Sequence, residues 1–87
     1  MIEETKKNYE DFVKENGFEP RFAYCKVTFL DNGDSMDATF KLSCDEDEND
    51  NFIFYYCTGL SDLISLYEEG GVNDFRISGV ATFGMEA

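Results

Sequence analysis

The sequence predicts an α+β protein: one small domain spanning residues 1–87, with elements in the order αβββαβ and a four-stranded, mostly antiparallel sheet that carries two helices packed on one face. Three observations lead there. Apolar residues recur at helical spacing up to Asn16 and at strand spacing after Pro20, periods that put side chains on one stripe of a helix or on alternate faces of a strand. An Asn-Gly pair, Asn32-Gly33, separates two alternating runs. A second helical stripe then stands between the third strand and the last alternating run, so the chain has to cross back over the sheet. A chain of 87 residues buries only roughly 60–65% of the surface its unfolded form exposes, so every element must share one core.

Residues 2–16 read as an amphipathic helix because Ile2, Tyr9, Phe12 and Val13 fall three, four and seven apart, with charged residues on the other faces. Gly17 supplies the stop. Ala23, Cys25, Val27 and Phe29 alternate with Tyr24, Lys26 and Thr28, a first strand with one buried face. DNGD at 31–34 closes a hairpin, since Asn-Gly takes the positive φ angles of a tight primed turn. The returning strand sends Met36, Ala38, Phe40, Leu42 and Cys44 inward and Asp37, Thr39, Lys41 and Ser43 outward.

Residues 45–50 are an acidic loop, and 52–57 a third strand, apolar or aromatic on both phases. Such a strand is either covered on both faces or keeps one face for something outside the chain. GLSDLISLYEEGG gives the second helix, with Leu60, Leu63, Ile64 and Tyr67 on one stripe. In the fourth strand Phe75, Ile77, Gly79, Ala81 and Phe83 share one phase. A crossover connection makes this strand parallel to a neighbour, and the first strand is the economical one to join.

Composition excludes several classes of function. With 43% hydrophobic residues, nine Phe and five Tyr, the chain is too apolar for a disordered acidic tail. No stretch approaches the roughly 18 unbroken apolar residues of a membrane span, and MIEETKKNYE lacks the apolar segment of a secretion signal, so a cytoplasmic protein is expected. The three cysteines, Cys25, Cys44 and Cys57, fall on or near inward strand phases, where a free thiol behaves as a small hydrophobe. With no histidine and no CxxC pair, neither a zinc site nor any other cofactor is expected. Asp45, Asp47 and Asn49 match the first ligand positions of a calcium loop, but Asp50 stands where the turn glycine belongs and Tyr56 where the bidentate glutamate belongs. The usual general base is missing, no Ser or Cys sits in a nucleophile context and no glycine pattern cradles phosphate, so no enzymatic activity is expected.

Charge is the strongest signal. The 19 acidic and 7 basic residues give a formal net charge of −12, and residues 31–74 carry twelve acids against Lys41 alone. One reading makes the acids flanking the uncharged run FIFYY gatekeepers against edge pairing. That role does not require an excess spread from the first hairpin to the end of the second helix, which costs self-repulsion. A binding face for a basic protein accounts for it. Its candidate residues are Asp31, Asp34 and Asp37 at the hairpin, Asp45, Glu46, Asp47, Glu48 and Asp50 in the loop, and Glu68, Glu69 and Asp74 after the second helix. Ile53 and Tyr55 are the candidate anchors, because aromatic and apolar groups concentrate binding energy where charges mainly raise the on-rate.

Carboxylates two apart on a strand project roughly 6.5–7 Å apart on one face, close to the spacing of successive phosphates on a DNA strand. In size, acidity and compactness the chain resembles the small phage-encoded inhibitors that mimic DNA, among them anti-CRISPR proteins, anti-restriction proteins and inhibitors of uracil-DNA glycosylase. That resemblance implies a non-catalytic partner of a nucleic-acid-binding protein. An antitoxin or immunity protein covering a basic toxin, or a soluble domain whose acidity serves solvation, has the same acid content.

Overall fold

A computed structural model describes residues 1–42, 55–68 and 74–86, with Tyr55 described by its backbone alone. The elements are helix α1 (Ile2–Asn16), strands β1 (Phe22–Phe29), β2 (Ser35–Leu42) and β3 (Tyr55–Cys57), helix α2 (Leu60–Glu68), and strands β4 (Phe75–Ile77) and β5 (Thr82–Gly84). The sheet runs β3-β2-β1-β4, with β5 also on β1. Both helices cover one face, where Leu63 and Tyr67 of α2 and Ile2 of α1 pack with Ala23, Val27, Phe40 and Ile77 of the strands.

Each helix ends and begins for local reasons. Gly17 takes the left-handed conformation at φ 78° and donates its N–H to Val13 at 2.8 Å, closing α1 where a side chain would be strained. Asp62, in the first turn of α2, accepts from the Thr58 N–H at 2.9 Å and the Thr58 hydroxyl at 2.5 Å. These bonds hold its carboxyl below the usual range, as expected for an anion at a helix N-terminus.

The β1–β2 hairpin pairs Phe22 with Lys41 through Thr28 with Ser35. Its turn differs from the primed turn that Asn-Gly favours. Gly33 has positive φ, 77°, whereas Asn32 does not, and the Asn32 side chain accepts from the Asp34 N–H at 2.9 Å. Phe29 receives the Gly33 N–H at 2.9 Å and donates to Asp34 at 2.8 Å, so a four-residue loop, Leu30–Gly33, spans the strands.

The last strand departs from expectation in direction and continuity. It does not join β1 in parallel: β4 and β5 both pair with β1 antiparallel, and among the described residues the one parallel pair is β2 with β3. The pairings make β4 run in the same direction as β3, as a strand-helix-strand crossover requires. It lands beside β1, which points the other way; a crossover sets direction relative to the strand it leaves, with no bearing on the strand it reaches.

Continuity fails because β4 aligns Ile77 with Val27 while β5 aligns Thr82 with Tyr24. Residues 78–81 therefore face only Cys25 and Lys26, a bulge of two extra residues. The Ser78 N–H still reaches the Lys26 carbonyl of β1 at 2.8 Å, and groups further along are satisfied from the helices. Asn8 donates to the Ala81 carbonyl at 2.9 Å, the Ala81 N–H donates to Thr5 Oγ1 at 3.1 Å, and Tyr67 donates to the Gly79 carbonyl at 2.8 Å. Thr5 and Tyr67 hydroxyls lie 2.5 Å apart. Since the Tyr67 proton is directed at Gly79, Thr5 donates to Tyr67, and all donors in the chain run one way.

Candidate protein-binding surface

Every acidic residue among the described residues is exposed. Of the predicted contacts, Asp31 and Asp34 lie in the hairpin turn, and Asp74 is brought to the same end of the sheet because its carbonyl accepts the Leu30 N–H at 2.8 Å. Asp74 holds a left-handed backbone, φ 51°, a conformation that Asp and Asn tolerate better than other side chains. Glu68 is exposed at the last turn of α2, next to Tyr67. Asp37 is exposed but stands apart, opposite Lys26 on the sheet face away from the helices. Asp45, Glu46, Asp47, Glu48, Asp50, Ile53 and Glu69 lie outside the described residues, as does the Tyr55 side chain.

The structure adds residues that the sequence did not single out. Glu3 and Glu4, in the first turn of α1, line a groove with Leu30 at the end of β1 and Arg76 and Ile77 of β4. Carboxylates there complement the helix dipole, which is a structural role in its own right, and they also extend the acidic end of the molecule onto a third element. The groove encloses about 750 Å³. Tyr67 and Ile77, 8% and 1% exposed, form its floor with the half-buried Ile2, while Met1 and Leu30, 57% and 49% exposed, stand at its rim. One signal for Leu30 was available: directly after the inward Phe29, it falls on the outward phase of β1. The groove itself joins residues too far apart in sequence for any local pattern to show.

On the opposite sheet face Lys41 falls on the outward phase, as expected, yet it is only 5% exposed and pairs in register with Phe22, itself 6% exposed. The single base of the acidic middle segment is thus withdrawn from the surface. Cys25 and Cys57 are free and buried. Burial pushes both thiols up to about 12, reinforced for Cys25 by Cys57 and for Cys57 by Asp62, and thiols so placed are poor nucleophiles. Cys44 lies outside the described residues. Among the described residues, no group of three His, Cys, Asp or Glu side chains is placed to hold a metal ion, and no helix is long and apolar enough to cross a membrane.

The chain matches no family model, and no curated protein or solved structure is significantly similar to it.

Proposed function

We propose that the protein is a non-catalytic acidic binder of DNA-mimic type, which occupies the basic nucleic-acid-binding surface of a target protein. The observation that carries this reading is the convergence of exposed carboxylates from separate elements at one end of the sheet. Glu3 and Glu4 come from α1, Asp31 and Asp34 from the β1–β2 turn, and Asp74 from the start of β4, and they stand beside the exposed Met1 and Leu30. Dense fixed charge of one sign steers a basic partner and raises its association rate. Apolar groups within the same patch supply the desolvated contact that holds it. The burial of Lys41 keeps the one base of the middle segment out of direct contact with a partner.

The test is displacement. Immobilised protein is used to capture basic proteins from a lysate at low salt, and the captured protein is then challenged with duplex DNA at constant ionic strength. The reading expects a nucleic-acid-binding protein that DNA releases in competition. A captured protein that DNA leaves in place, or capture of none that binds nucleic acid, overturns it.

A further inference from the structure

We propose that the groove between the first turn of α1 and the β1–β4 end of the sheet docks an apolar side chain flanked by arginine or lysine, contributed by the basic protein that faces the acidic end. The inference rests on the reading of that end as a binding surface. At about 750 Å³ the groove falls within the roughly 300–1,000 Å³ of sites that take a small organic ligand or a few residues of peptide.

Its lining selects among segments by chemistry. The Tyr67 hydroxyl, on the floor, is already engaged by Thr5 and Gly79, so its proton is committed and the floor it forms with Ile2 and Ile77 is an apolar surface. A segment bearing only charges leaves that floor and the exposed Leu30 wet. An acidic segment meets Glu3 and Glu4 with like charge. A segment with one aliphatic side chain and an adjoining cation satisfies both, the aliphatic group on the floor and the cation at the carboxylates of α1. Arg76, another lining residue, disfavours a second cation beside it and offers donors to main-chain carbonyls, which sets the direction in which the segment lies.

The probe for this is N-acetyl-leucyl-arginine amide, titrated into the isotopically labelled full chain and followed by amide resonances. N-acetyl-leucyl-glutamate amide and N-acetyl-diarginine amide serve as controls. The expected result is saturable shifts at Glu3, Glu4, Leu30, Ile77 and Ser78 with a dissociation constant in the millimolar range, at least about fivefold weaker for each control. Leu30→Ser, at an exposed site, and the pair Glu3→Gln, Glu4→Gln should each weaken the leucyl-arginine probe severalfold with the circular dichroism of the chain unchanged. Shifts that fail to saturate, that cluster elsewhere, or that are equal for the glutamate probe overturn the assignment. Because the probe needs no partner protein, a negative titration removes the groove and leaves the DNA-displacement test standing. Saturable binding of the probe with no DNA-displaceable partner overturns the functional reading alone.

Discussion

Thr5 and Tyr67 share a buried hydrogen bond of 2.5 Å across 62 positions of sequence, and through it α1, α2 and the bulge between β4 and β5 become one unit. Thr5 takes the Ala81 N–H and Tyr67 gives its proton to Gly79, so each hydroxyl replaces a ladder bond that the bulge gave up.

Thr5→Val keeps volume but strands the Ala81 N–H, and Tyr67→Phe strands the Gly79 carbonyl. Each should cost about 1–3 kcal/mol, the penalty for an unsatisfied buried polar group, equivalent to a Tm loss of roughly 4–8 °C per kcal/mol for a domain of this size. The double variant should lose less than the two losses added, because the groups share one network. Urea denaturation of the four proteins measures this, and strict additivity would sink the idea of a coupled chain.

The buried thiols make a prediction about alkaline pH. Cys25 and Cys57 titrate near 9 when unfolded and at about 12 in the folded chain. A raised folded value means the contribution is fully present below pH 9 and is lost as pH climbs from 9 toward 12, at about 1.4 kcal/mol per pH unit for each thiol. Denaturation midpoints should fall steeply over that window, and Cys25→Ala with Cys57→Ala should flatten the fall. Alkylation by iodoacetamide at pH 8 should be slow at both positions in native protein and fast in denaturant. Fast native labelling of either one would contradict the burial.

Charge removal at the acidic end should separate stability from binding. Asp31→Asn, Asp34→Asn and Asp74→Asn together preserve turn preference, and Asn tolerates the left-handed backbone of position 74 as Asp does. Stability should stay within about 0.5 kcal/mol or rise slightly as repulsion falls. Association with a basic partner should slow and its salt dependence flatten. The matching triple, Asp45→Asn, Asp47→Asn and Asp50→Asn, tests the acidic run in the same way. If that run only guards against aggregation, binding stays constant and the variant aggregates faster. Stopped-flow association across a salt series, with light scattering on the same samples, distinguishes the outcomes.

Gly84 lies against Tyr24. A Cβ at position 84 would stand 2.8 Å from the Tyr24 hydroxyl oxygen, and that hydroxyl donates to the Glu86 carbonyl. Gly84→Ala should therefore push the hydroxyl end of the Tyr24 ring aside and break this exposed bond, at a cost of about 1 kcal/mol or less, because the contact is with the far end of a half-buried side chain. Adding Tyr24→Thr should recover part of the loss. A Gly84→Ala variant as stable as the parent would show that the ring moves aside freely.

How much of this was legible in sequence depends on distance along the chain. The helix over residues 2–16, its stop at Gly17 and the β1–β2 hairpin were all readable, because each is decided by residues within a few positions. The break between β4 and β5 was hidden for a definite reason. The insertion is two residues, an even number, so Ile77 and Phe83 stay on the same face and the alternation passes through it unbroken. An odd bulge would have shifted the pattern by one face. Thr5 reads in sequence as one polar position in a charged helix, because its side-chain partners lie more than sixty residues away. At the candidate site the carboxylates of the hairpin were visible as a local run. The contribution of α1, and the groove that Leu30 and Ile77 complete, exist only once the fold has brought them together.

The bulge also governs when the protein becomes itself. Thr5 and Asn8 leave the ribosome early, yet the groups they bind, at Tyr67 and Ala81, are added more than sixty residues later. At roughly 5–20 residues per second of synthesis, that is a wait of several seconds. During it α1 has no partner for its buried threonine, and β1 has one edge unpaired. The nascent chain can form the hairpin first, but it closes its core only after the codons for β5 have been read.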